Sequence, residues 1–220
     1  MKYIDLIVAT RNRREKLLKM LDSVPKGPVG NVCINIKIAC DGDRDTYEYI
    51  KLMTDYSVLL FPVQMGSVFC RNTLCLTVND GLLYATDDIV FEPGSIETAF
   101  KMFNEAFTGK FEDDGVVGFV QNGSFHPTGV ALVGQKFLQR YKGKQLFFPE
   151  YFHFAAQEIF DHAERLGRFV QCKDARVFHY HPCLMKDQMD QTHADARIHK
   201  ANDMKLKDDR RSKGLIWGYN

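Results

Sequence analysis

No apolar run in the sequence approaches the roughly 18 residues needed to cross a bilayer, so no membrane span is expected. Charge of one sign is missing too. Lysine and arginine number 29 against 28 aspartates and glutamates, for a net charge of +1, and this supplies no general pull toward nucleic acid or an anionic surface. The six cysteines (Cys33, Cys40, Cys70, Cys75, Cys172, Cys183) form no C-x-x-C pair and no zinc spacing, which points to free thiols used as small core residues. Internal repeats and low-complexity segments are absent. The opening MKYIDLIVATRNRREK has an apolar stretch too short for a signal peptide and runs straight into charge; it reads as a buried first strand in a cytoplasmic protein.

What is present is an alternation of strand-like and helix-like segments over the first hundred residues. Residues 4–9 are apolar with little alternation, as in a strand covered on both faces. Asn12 and Glu15 have capping-box spacing ahead of Leu17, Leu18, Leu21 and Val24, with Pro25 as the stop. Val32, Ile34, Ile36 and Ile38 alternate with polar or small residues and predict a second strand, followed by the acidic loop D-G-D-R-D at 41–45, where Asp45 is a candidate helix cap. Further segments are a helix over 47–53, a strand over 57–61, a helix over 68–78, a strand over 82–85 and a helix from Pro93 that buries Ile96, Ala99, Phe100 and Phe103. The second half predicts strands at 115–120, 130–133, 170–172 and 176–180, and a helix over 154–166 ending at Gly167. From Met185 the chain is polar, with Ile198, Leu206, Leu215, Ile216 and Trp217 as its few anchors. The expectation is a Rossmann-like α/β fold: one domain with a mixed, mostly parallel sheet and helices on both faces.

Ligands of such sheets bind beyond the carboxyl ends of the strands, where three polar clusters fall: T-R-N-R at 10–13, the 41–45 loop and Thr86-Asp87-Asp88. A ligand touching all three would need to satisfy cations and anions together, as a nucleoside diphosphate with a divalent metal does. His179 and His181 alternate on one predicted strand and so share a face; the other five histidines carry no comparable pattern. Glu158 and Asp161 stand three apart on one helix, with Glu150 nearby in a loop.

In their order and spacing, T-R-N-R, D-G-x-x-D, G-x-x-x-x-R-N at 66–72, YATDDIVFEPGSI at 84–96 and A-R-V-F-H-Y-H-P at 175–182 resemble family 2 glycosyltransferases over roughly residues 3–182. The resemblance implies the GT-A fold, a nucleotide-sugar donor and Mn²⁺ or Mg²⁺ as cofactor. It places the donor on Thr10, Arg11, Arg13, Asp41, Arg71 and Asp87, and the metal on Asp88, His179 and His181. Transfer would proceed with inversion, Glu158 or Asp161 being the base. The acceptor is open: glycan, protein, lipid or a modified nucleic-acid base. Two departures stand out. Cys40-Asp41 replaces an aspartate pair, and Ala155-Ala156 falls where an acidic pair opens the catalytic helix. The expected layout is a GT-A domain over 1–184, its nucleotide-binding half at 1–100 and its acceptor or catalytic half at 101–184, with a polar extension over 185–220 packing on it. Two alternatives remain: a sugar-phosphate nucleotidyltransferase, disfavoured by the lack of a glycine in A-T-R-N-R, and a non-catalytic GT-A-like binding domain.

Overall fold

Side chains of the central strands alternate between two cores, and that alternation sets the layering. The computed structural model describes residues 2–78, 80–122, 129–153, 156–181 and 189–219. In β1 (Lys2–Thr10), Ile4, Leu6 and Val8 join one core and Ile7 the other. Leu83 and Leu82 divide in the same way in β4 (Gly81–Tyr84), as do Leu132 and Val133 in β7 (Ala131–Gly134).

The first core is closed by α1 (Arg14–Asp22), α2 (Arg44–Met53) and α4 (Ser95–Ala106), through Leu17, Met20, Ile50, Ile96 and Phe100. On the other face lie α3 (Ser67–Cys75), α5 (Gln135–Leu138) and α6 (Gln157–Arg165), through Val68, Leu74, Phe137, Ile159 and Ala163. With β2 (Val32–Asp41), β3 (Ser57–Phe61), β5 (Ile89–Phe91), β6 (Val116–Gln121) and β8 (Phe169–His179), the described strands form one eight-stranded sheet ordered β3-β2-β1-β4-β7-β6-β8-β5. Pairings β3–β2, β2–β1, β1–β4 and β6–β8 are parallel, while β4–β7, β6–β7 and β5–β8 are antiparallel. This is the expected single-domain α/β sandwich. No helix among the described residues is long and apolar enough to cross a membrane.

The local expectations need four corrections. Asn12 does not cap α1: its backbone is in the left-handed region (φ 54°) and its N–H donates to Asp43 Oδ2 at 2.7 Å. Asp43 rather than Asp45 caps α2, accepting from Thr46 N at 3.1 Å, so one carboxylate ties the β1–α1 loop to the β2–α2 loop. The strands expected at 170–172 and 176–180 are a single strand, β8, broken by a bulge at which its pairing jumps from Cys172 to Arg176. Finally, the polar tail holds a 22-residue helix, α7 (Gln191–Ser212), and Ile198 is exposed on it rather than an anchor. His126, Ala155, Cys183 and the start of the 154–166 helix lie outside the described residues.

Candidate active site

After β1 the chain builds β2 and β3 on one side, then returns to place β4 on the other, which makes the β1–β4 junction a topological switch point. A cleft of about 340 Å³ opens beyond the carboxyl ends of these strands. Thr10, Arg11, Arg13, Asp41, Arg71, Asp87, Asp88, His179 and His181 all line it. Glu158 and Asp161 do not; they line a separate cavity between α6 and α7, and only their neighbour Gln157 borders both.

At the switch point Thr10 Oγ1 donates to Asp87 Oδ2 at 2.9 Å. A single nitrogen of Arg13, Nη1, lies between the paired carboxylates, 3.1 Å from Asp87 Oδ1 and 3.4 Å from Asp88 Oδ2. Its Nε and Nη2 form a two-pronged contact with Asp190, both at 2.8 Å. Burial alone would lower the Arg13 pKa, but Asp87, Asp190 and Asp88 more than offset this and hold it raised. Burial raises Asp87, whereas Asp88 is held well below the ordinary carboxylate value, its burial outweighed by the nearby imidazoles of His179 and His193 and by Arg13.

The register of β5 on β8 brings the histidines to Asp88. Ile89 pairs with His179, and Tyr180 N donates to Asp88 O at 2.8 Å. His179 Nε2 then stands 3.1 Å from Asp88 Oδ1, while its Nδ1 meets Gln121 Oε1 at 2.8 Å. With Nδ1 donating to that amide oxygen, Nε2 is left facing the Asp88 carboxylate. The rings of His179 and His181 are 5.4 Å apart, and those of His181 and His193 are 4.9 Å apart. Burial and then the neighbouring imidazoles lower the His181 pKa to about 4, leaving a neutral ring able to ligate.

At the end of β2, both oxygens of the buried Asp41 accept backbone N–H groups, from Met65 at 2.6 Å and Gly66 at 3.0 Å. The carboxylate therefore shapes the β3–α3 turn and keeps lone pairs in reserve. Arg11 Nη1 donates to Asp41 O at 3.2 Å. Arg71 projects from α3, buried, with no hydrogen-bond partner for Nε among the described residues; burial lowers its pKa, and Asp87 is the strongest opposing influence. Asn72 next to it exchanges two hydrogen bonds with the Phe147 backbone, which fixes the rotation of α3.

Aspartate oxygens suit Mn²⁺ or Mg²⁺, and imidazoles beside them favour Mn²⁺ over the harder Mg²⁺. Among the described residues, however, no three His, Cys, Asp or Glu side chains stand as a closed ligand set; at Asp87 and Asp88 the positive charge is that of Arg13. Two residues here, His193 in α7 and its N-cap Asp190, carry no sequence pattern that marks them for the cleft. The one local signal was the D-Q-T-H run at 190–193, in which an N-capping Asp places His193 in a first helical turn.

The half-parallel sheet with a cleft at its switch point is a Rossmann-like fold of the GT-A type. Solved structures share it. The Pyrobaculum calidifontis mannosyltransferase PcManGT, in complex with GDP-Man and Mn²⁺, superposes with a TM-score of 0.64 at 14% identity, over 91% of this chain and 61% of that one. S. aureus TarS 1-349 in complex with UDP superposes with a TM-score of 0.62 at 14% identity, over 81% and 60%. The chain thus spans about three-fifths of the length of these two structures. No family model and no curated protein sequence matches it.

Proposed function

We propose that this chain is a divalent-metal-dependent glycosyltransferase that moves a sugar from a nucleoside diphosphate, which we assign as UDP, to a hydroxyl acceptor. The carrying observation is the convergence of Arg11, Arg13 and Arg71 with the Asp87-Asp88 pair in one switch-point cleft. Arginines hold diphosphate oxygens through paired hydrogen bonds, and adjacent carboxylates favour a hard divalent ion. Thr10, Arg11 and Asp41 would take the nucleoside, Arg13 and Arg71 the diphosphate, and Asp87 the ribose or the metal. Asp88, His179 and His181 would hold Mn²⁺ or Mg²⁺, which when bound neutralises charge on the departing diphosphate. A remaining lone pair of Asp41 can accept the ring N–H of uracil, which neutral cytosine lacks. Inversion at the anomeric carbon rests on the family resemblance alone. The division into a 1–184 domain and a 185–220 extension is also part of this reading.

Glu158 is not assigned as the base. Its carboxylate, 5% exposed, accepts from Tyr151 Oη at 2.6 Å, from Arg210 at 2.8 and 2.9 Å and from the Trp217 N–H, and these bonds outweigh burial to lower its pKa. That engagement favours one second reading, a GT-A-like domain that binds a nucleotide sugar without transferring it. Calorimetry with UDP, GDP, ADP and CDP in Mn²⁺, followed by hydrolysis of the matching donor sugars, separates the two. UDP is expected to bind tightest and UDP-sugars to be hydrolysed with Mn²⁺. Tight binding without hydrolysis favours the second reading, and GDP binding about tenfold tighter than UDP removes the assigned role of Asp41.

A further inference from the structure

We propose that His193, in the first turn of α7, is a ligand of the divalent cation in this cleft, so that the cation ties the C-terminal helix to the switch point. The proposal rests on the reading above that the cleft takes a metal with its nucleotide.

Three observations carry it. His193 is 8% exposed and lines the cleft; its Nδ1 lies 2.8 Å from Asp190 Oδ1, while its buried Nε2 faces Asp88 with no hydrogen-bond partner among the described residues. Buried polar atoms are nearly always satisfied, and an open Nε2 on a ring whose Nδ1 is held by a carboxylate is the arrangement of a metal-ligating imidazole. Next, its Nε2 stands 3.6 Å from Asp88 Oδ2, while His179 Nε2 stands 3.1 Å from Asp88 Oδ1. Donor atoms about 2.1 Å from one ion at ordinary coordination angles lie about 3–3.5 Å from each other; the His179 separation falls in that range and the His193 separation within about 0.1 Å of it. His181 is packed edge-on against His193, with the ring planes at 87°. The imidazoles thus surround Asp88 from β8, from the residues after it and from α7.

The third observation is how firmly the His193 backbone is placed. Asp190 caps α7 by accepting the His193 N–H at 2.9 Å, and it also holds Arg13 and Lys16. Thr192 Oγ1 donates to Arg11 O at 2.6 Å. The first turn of α7 is therefore pinned to the loop that carries Arg13. Because Asp190 binds Arg13 through Nε and Nη2, that guanidinium keeps a carboxylate partner when Nη1 gives way to an ion.

The test uses the full chain with UDP and titrates Mn²⁺, free ion being read by EPR and heat by calorimetry. His193→Ala and His193→Phe, the latter keeping a ring in the space, are each expected to weaken Mn²⁺ binding at least about tenfold. His193→Asp, which supplies a ligating oxygen, restores most of it. Hydrogen exchange over residues 190–196 should slow on adding Mn²⁺ in the wild type and in His193→Asp but not in the other two. Unaltered Mn²⁺ binding in His193→Ala or His193→Phe, with binding lost in Asp88→Asn, overturns the proposal and leaves the cleft reading intact. A wild type that binds UDP but no Mn²⁺ at millimolar concentration overturns both the proposal and the metal part of that reading.

Discussion

Asp87 and Asp88 are neighbours in sequence with different surroundings. Thr10 and Arg13 hold Asp87, whereas His179, His193 and Arg13 surround Asp88. Asp88 is thus the carboxylate ringed by imidazoles, and its charge is the one best placed to hold a cation. Asp88→Asn keeps the shape and removes that charge. The expected result is a fall of about a hundredfold or more in Mn²⁺-dependent UDP-sugar hydrolysis. Hydrolysis at the wild-type rate in Asp88→Asn, or undiminished in chelator, would take the metal role away from this residue. The residues around Asp88 were legible in the sequence because Thr10, Asp41 and Thr86 follow strands whose apolar patterns are strong, and strand ends of a parallel sheet face one crevice. His193 was not, since nothing within a few residues of it indicates which surface its helix will meet.

At the scale of elements, the joint between α6 and α7 is the part of the molecule that the sequence left most open. Only two residues of α7 are buried, His193 and Asp203, so apolar packing does little to hold the helix. Asp203 instead accepts the backbone N–H groups of Phe152 and His153, at 3.0 and 2.8 Å, and Arg210 grips Glu158 with two bonds. Glu158 and Arg210 are buried as a pair, with side-chain exposures of 7% and 13%. Removing one partner of such a pair leaves the other charged and desolvated. Glu158→Gln should therefore cost roughly 3 kcal/mol, a fall of about 6–12 °C in Tm, with UDP binding nearly unchanged. Thermal melts and calorimetry on the same variant check this. An unchanged Tm together with abolished hydrolysis would return the role of base to Glu158. The helical spacing of Glu158 and Asp161 was readable, but it fixes only a shared face and not what that face meets.

Across the whole molecule, the C-terminal residues close over the second core and bring a pH dependence with them. His162 is 1% exposed, in contact with Tyr141 Oη at 3.0 Å, and Gly218 lies against both residues. A Cβ at Gly218 would come within 2.5 Å of Tyr141, on a backbone of φ +82° that favours glycine. Burial, and after it Arg140, lowers the His162 pKa to about 4, against the usual 6.5. Above pH 6.5 the histidine is neutral in both folded and unfolded chains and stability does not depend on it. Between 6.5 and about 4 the unfolded chain binds a proton that the folded one refuses, so stability falls as pH falls. His162→Gln keeps a partner for Tyr141 and removes that uptake. Denaturant melts from pH 7.5 to 4 should show a shallower acid slope in the variant, by up to about 1.4 kcal/mol per pH unit. Identical slopes would show that His162 titrates normally in the folded protein.

The sequence by itself determined the two-sided burial of the strands, the order of most elements and the three polar clusters at strand ends. Those depend on periodicity and on residues within a turn of one another. Tertiary structure alone decided that Arg13 would share Asp190 from 177 positions away, that Asp41 would shape a turn, and that Glu158 would face Arg210 instead of the cleft. The reason is physical: α7 is polar on nearly every face, so no hydrophobic pattern announces where it docks. Its place is set by carboxylates, imidazoles and guanidinium groups whose partners exist only once the sheet has formed.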